Sequence, residues 1–208
     1  MPPPSRLPKC NASSISGSGF DWRKALVLGV TFLLSGIALA TPGPVALRRS
    51  PDFDITEPGK PDLLLSSFKG KVVVLEFLFA RSQHCLRVAR TLNKLRDELG
   101  SEGFQPVAIV FDPPTGSTAG AQVVDFLRSY LGLTYPVGYA SKEAVDAYLG
   151  RAPGQILNIP QIVVIDRNGM IRATTGGQGG NITLEDEGLL RSMLEQLLGE
   201  NKTAADIH

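Results

Sequence analysis

Gly70-Lys-Val-Val-Val-Leu-Glu-Phe-Leu-Phe-Ala-Arg-Ser-Gln-His-Cys85 is the stretch on which the fold of this chain turns. From Val72 to Ala80 every residue is apolar except Glu76, and β-branched and aromatic types dominate. An apolar run of that length, bounded by Gly70 and Arg81, predicts a central strand covered on both faces. Ser82-Gln83-His84-Cys85 then opens an amphipathic helix expected to run to about Leu99 and to stop at Gly100. This order puts a thiol in the first turn of a helix, directly after a buried strand. Amide N–H groups and the positive end of the helix dipole favour a thiolate there. On the helix, Cys85, Ala89, Leu92 and Leu99 share one face with Val88 and Leu95, so the same thiol points toward a core. Arg96 is the polar exception on that stripe.

Downstream, Gln105 to Phe111 reads as a second strand. Thr115–Gly120 is a loop of small residues, Gln122–Leu131 a helix, and Ser141–Leu149 a short helix capped by Ser141. Ile159-Pro160-Gln161 precedes the apolar strand Ile162–Ile165. Asn168-Gly169 then signals a hairpin into Met170–Thr175. Gly176–Gly180 follows an edge-like strand and lacks the Lys-Ser/Thr of a phosphate-binding loop. Leu184–Leu198 has helical spacing, and 201–208 is a loose polar tail. Upstream, Phe53 to Leu65 reads as a hairpin turning at Pro58-Gly59. Residues 41–52 form a linker, and the domain occupies 53–200.

Residues 1–24 are rich in Pro and Ser and read as a disordered leader. Ala25–Ala40 is a charge-free apolar run preceded by Arg23-Lys24. Its length suits a signal-peptide core, with Ala38-Leu39-Ala40 as a small-x-small cleavage site. Apolar character resumes at Val45-Ala46-Leu47, which fits an uncleaved membrane anchor instead. In both cases the basic flank stays cytoplasmic and the domain is exported. The 208 residues carry 21 basic and 20 acidic side chains, a net charge of +1. That near-neutral balance argues against a nucleic-acid surface. Of the two cysteines, Cys10 precedes the apolar run and Cys85 follows it, so a membrane between them forbids their pairing.

Lys69-Gly70-Lys71, the apolar strand, and Phe79-Ala80-Arg81-Ser82-Gln83-His84-Cys85 together resemble the membrane-tethered thioredoxin-fold proteins of the TlpA-like or redoxin type, relatives of AhpC/TSA proteins. That family reads roughly Lys-Gly-Lys, strand, Phe-Trp-Ala-x-Trp, Cys-x-x-Cys. The match runs without a gap and covers about residues 51–198. It implies an α/β thioredoxin-like sandwich: a central mixed sheet flanked by helices, with an N-terminal hairpin and a helical insertion. Ser82 stands at the family's first, attacking cysteine, Cys85 at its second, and Arg81 where Trp is usual. Tyr135-Pro136-Val137 resembles the family's Phe-Pro-Val. Ile159-Pro160 matches its cis-proline, which with Arg81 would border a partner groove. Glu76 matches the buried acid that relays protons in thioredoxins; its plain alternative is an ion pair with Lys71 or an arginine at the strand end.

The resemblance therefore implies thiol–disulfide oxidoreductase chemistry through Cys85 alone, assisted by Ser82, His84 and Glu76, on a protein thiol or disulfide partner. Two other readings stand beside it. In one, the chain is a redox-inactive binding or assembly module with Ser82 as a helix cap and Cys85 as core packing. In the other, Ser82-x-x-Cys85 echoes the Thr/Ser-x-x-Cys of one-cysteine peroxiredoxins, whose substrate is a peroxide. Leu78 occupies the place of that motif's proline, and the strand-to-cysteine spacing is one residue short. A serine nucleophile would need a base oriented by a third group; His84 is two residues away, with no evident carboxylate. Arg87, Arg90 and Lys94 read as a solvated face. No cofactor is implied, and with His84 and His208 as the only histidines no metal site is expected.

Overall fold

Strand β4 (Val72–Leu78) is buried at all seven positions, as the apolar run requires. The structure is a computed structural model that describes residues 48–111, 117–152, 155, 158–175 and 184–200. The leader, the apolar run 25–40, the glycine loop 176–180 and the tail 201–208 lie outside the described residues. Among the described residues no helix is long and apolar enough to cross a membrane.

The remaining elements are β1 (Arg48–Arg49), β2 (Asp54–Ile55), β3 (Leu63–Leu64), α1 (Gln83–Leu99), β5 (Phe104–Val110), α2 (Ser117–Leu131), β6 (Val137–Tyr139), α3 (Lys142–Leu149), β7 (Gln161–Ile165), β8 (Met170–Thr174) and α4 (Glu187–Gly199). One sheet has the order β1-β8-β7-β4-β5-β6. Strand β4 runs parallel to β5 and antiparallel to β7. The sheet is therefore mixed, and the thioredoxin-like fold class is the observed one.

The period-2 alternation of a strand sorts β4 between two cores. Val72, Val74 and Leu78 join one cluster with Cys85, Leu92 and Leu95 of α1, Val124 and Leu127 of α2, and Leu190 and Leu194 of α4. Val73, Leu75 and Phe77 join the other, with Val145 and Tyr148 of α3 and Phe53 and Ile55 of the N-terminal hairpin. The result is three layers, with α1, α2 and α4 on one face of the sheet and α3 with the β2–β3 hairpin on the other.

Local differences from the sequence reading have physical causes. Arg48–Arg49 is no linker: it pairs antiparallel with β8 as an edge strand, through backbone groups that need no apolar pattern. Helix α1 ends at Leu99 with Gly100 as its C-cap, as read from the sequence, but Gly100 keeps right-handed helical angles; a 3-10 turn (Gly100–Glu102) follows, and the chain reverses at Gly103, where φ is 102°. Helix α2 begins at Ser117, so part of the small-residue loop is helical. A Cβ on its Gly120 would lie 2.6 Å from the Tyr139 ring, so the small residue permits close packing on β6. Helix α4 starts only after Asp186, whose side chain accepts from Leu189 N–H. Strands β7 and β8 form the antiparallel hairpin read at Asn168-Gly169, with Gly169 at positive φ in its turn.

The hairpin meets the sheet where Thr56 bridges Tyr139. An added Cβ on Gly138 would sit 2.7 Å from Ile55 Cγ2 and 2.9 Å from the Thr56 carbonyl oxygen. Backbone cannot retreat as a flexible side chain can. Gly138→Ala is therefore expected to destabilise by about 1–3 kcal/mol, read as a lowered midpoint in urea; an unchanged midpoint would mean the hairpin is loosely docked.

Candidate functional site

The site lies where β4 ends and α1 begins. Ser82 is the N-cap of α1: its backbone is extended, and its Oγ accepts from Cys85 N–H at 3.4 Å. This hydrogen bond satisfies one of the helix's otherwise unpaired amides. Ser82 Oγ makes no hydrogen bond to His84 there.

Cys85 is 0% exposed, one turn inside α1. The helical stripe read from the sequence holds: Val88, Ala89, Leu92, Leu95 and Leu99 are buried with it, and Arg96 is half-buried. Arg81, Arg87, Arg90 and Lys94 are exposed. Lys94 Nζ donates to Glu187 Oε1 at 2.7 Å, tying α1 to α4.

Glu76 is the unusual group. It is 0% exposed, pairs across the sheet with Ala108 and Ile162, and shares their face, that of α1. Among the described residues neither carboxyl oxygen has a hydrogen-bond partner. The ion pair considered from sequence does not form, because Lys71 is five residues away and so lies on the opposite face. Lys71 Nζ instead donates to Gln105 Oε1 at 3.3 Å. Burial, and secondarily the nearby charge of Glu185, push the Glu76 carboxyl well above its ordinary value. An isolated carboxylate is too costly to keep charged there, so the acid form is favoured.

Two further residues belong to this neighbourhood. Glu185 Oε2 lies 3.0 Å from His84 Nδ1, so the histidine beside the thiol does have an orienting carboxylate. Tyr135 is buried and its hydroxyl donates to the Ala89 carbonyl oxygen at 3.2 Å. Burial and then the charge of Glu76 push its phenol well up. The only sequence signal for Tyr135 was its place in Tyr-Pro-Val; Glu185, 101 residues from His84, had none.

The Ile159–Pro160 peptide is cis, as the resemblance implies. Ile159 is half-buried and packs against the cluster that contains Cys85. Thr175 occupies backbone groups beside the proline: its Oγ1 donates to the Pro160 carbonyl oxygen at 3.2 Å and accepts from Ile162 N–H at 2.7 Å. No described contact joins Arg81 to Pro160. Among the described residues no group of three His, Cys, Asp or Glu side chains could hold a metal ion.

A family model described as the AhpC/TSA family matches residues 47–174, the span from the edge of β1 to the end of β8. No curated protein matches the chain. Among solved structures, a thiol:disulfide interchange protein of the thioredoxin family from Chlorobium tepidum TLS is 21% identical, with a TM-score of 0.59, covering 74% of this chain and 98% of its own. A thiol:disulfide interchange protein from Bacteroides sp. gives 19% identity and a TM-score of 0.60, covering 79% and 97%. The thioredoxin domain of a thiol-disulfide oxidoreductase from Bacteroides vulgatus gives 20% and 0.53, covering 72% and 96%. At these identities the likeness is one of fold.

Proposed function

The chain belongs to the AhpC/TSA family, and from that premise we propose that it is a TlpA-like redoxin of thiol–disulfide type, acting through Cys85 alone on a protein partner outside the cytoplasm. The observation that carries this reading is Glu76. A fully buried carboxyl with both oxygens unpartnered costs stability and offers none through packing. Placed on the face of the sheet that α1 covers, the face against which Cys85 packs, it would serve as a proton store for that thiol.

The step is thiol exchange. The Cys85 thiolate attacks a partner disulfide, one S–S bond forms as the partner's breaks, and the departing sulfur leaves as a thiolate. When a second thiolate attacks the partner sulfur of the mixed disulfide, Cys85 leaves as a thiolate and takes the proton of Glu76; that proton returns to the Glu76 carboxylate when Cys85 ionises for the next exchange. His84, held by Glu185, and the amide end of α1 favour the thiolate in the open state. Ile159 and Pro160 border the partner's approach. Ser82 caps the helix and takes no part as a nucleophile. Export rests on Arg23-Lys24 and the apolar run 25–40.

A second reading, the redox-inactive binding module, is favoured by a different observation: Cys85 is fully buried. The rate of Cys85 alkylation in the full chain carrying Cys10→Ser, from pH 4 to 10, separates the two. Native-state labelling through local opening of the first turn of α1, with a midpoint below the ordinary thiol value of about 8.5, is the expected result. Labelling that appears only on global unfolding would make Cys85 packing and the protein a binding module.

A further inference from the structure

A cavity of about 290 Å³ opens at the other end of β4, away from Cys85. Its lining includes Leu65, Phe68, Val73 and Ile165, of which all but the half-buried Phe68 are core residues. Val73 and Ile165 are direct partners in the antiparallel β4–β7 ladder, so the floor is rigid sheet. Arg49, Lys69 and Lys71 also line it and are exposed, which places three cations at its rim.

Among the described residues neither carboxylate in the lining is paired with them. Asp52 Oδ1 accepts from Phe53 N–H at 3.0 Å and Ser66 N–H at 2.9 Å, and its Oδ2 from the Ser66 hydroxyl at 2.6 Å. Asp166 Oδ1 accepts from Asn168 and Met170 N–H, each at 2.9 Å, and its Oδ2 from Arg172 at 3.1 Å. Every acidic oxygen is thus engaged by groups other than the rim cations. Arg49 reaches only a carbonyl oxygen, that of Asn168, at 3.4 Å, and Lys71 a neutral amide. Among the described residues none of the three cations forms an ion pair, and Lys69 has no side-chain partner.

We propose that this cavity binds a small amphipathic monoanion: an aromatic or medium-chain apolar body on the Leu65–Phe68–Val73–Ile165 floor, with one carboxylate or sulfonate at the Arg49–Lys69–Lys71 rim. Apolar surface with a few convergent polar groups is the usual make-up of a small-molecule site, and the volume is at the small end of such sites, roughly 300–1,000 Å³. The site stands independently of any reading of Cys85.

The test is a titration of the full chain with naphthalene-2-sulfonate, followed by amide ¹H–¹⁵N shifts. Saturable shifts confined to Arg49–Asp52, Leu65–Lys71 and Ile165–Gly169 are expected. The Lys69→Gln/Lys71→Gln double variant should weaken binding about tenfold; both lysines are exposed, and the same spectra report that the variant is folded. Uncharged 2-naphthol should bind more weakly than the sulfonate and be indifferent to the double substitution. Shifts that do not saturate, shifts centred elsewhere, or unchanged affinity in the folded double variant would each overturn the proposal.

Discussion

Glu76→Met is expected to make the protein more stable by about 1–3 kcal/mol near pH 4.5, the ordinary cost of a buried polar group with no partner, and by more than that at pH 7. Methionine fills nearly the same volume, is flexible enough to settle between Ala108 and Ile162, and needs no hydrogen bond. The gain should depend on pH in a defined sense. In the unfolded chain Glu76 titrates near its ordinary 4.5, while in the folded protein burial and the charge of Glu185 raise it well above that. Between those values the folded state holds a proton that the unfolded state has lost, so wild-type stability falls as pH rises. Below about 4.5 both states are protonated and the carboxyl's contribution is constant. The difference between variant and wild type should therefore grow from about pH 4.5 upward, read from urea unfolding at matched pH values. A difference independent of pH would show that the Glu76 carboxyl is not raised in the folded protein, and a wild type that gains on the variant as pH rises would show that it is ionised and paired there. If Glu76 also serves the thiol, the stabilised variant should alkylate Cys85 with an altered pH profile, a trade of function for stability.

Ser82→Cys is expected to convert the protein from background to measurable disulfide reductase activity, on the order of a hundredfold above wild type in an insulin-reduction assay with a small dithiol as donor. Position 82 is the N-cap of α1, at the mouth of the site and partly exposed, whereas Cys85 lies one turn inside. A thiol at 82 would be accessible and close to the amide end of the helix, which lowers thiol pKa values. Cys85 would then become the resolving partner, with Glu76 as its proton store. Loss of the serine cap should cost about 1 kcal/mol, too little to unfold the domain. A folded variant that forms the 82–85 disulfide yet reduces nothing would mean that the surroundings have drifted further than one residue from reductase chemistry, and would favour the binding module.

The architecture and the local construction of the site were legible in the pattern of residues. The apolar run Val72–Ala80 and the helical stripe from Cys85 to Leu99 specify which faces are buried, because periods of 2 and 3.6 map sequence directly onto faces. The serine cap and the cis-proline were likewise readable, one from local hydrogen-bond chemistry and the other from the family pattern. Only packing brings groups together across long separations: Glu76 finds no hydrogen-bond partner among the described residues, Glu185 reaches His84, Arg48–Arg49 closes a sheet edge, and Arg49, Lys69 and Lys71 gather over one apolar floor. Such meetings arise from how strands and helices stack, and local pattern carries no record of them. Lys71 shows the reason in one residue: near enough in sequence to be offered as the partner of Glu76, it is sent to the opposite face by the pleat of its own strand.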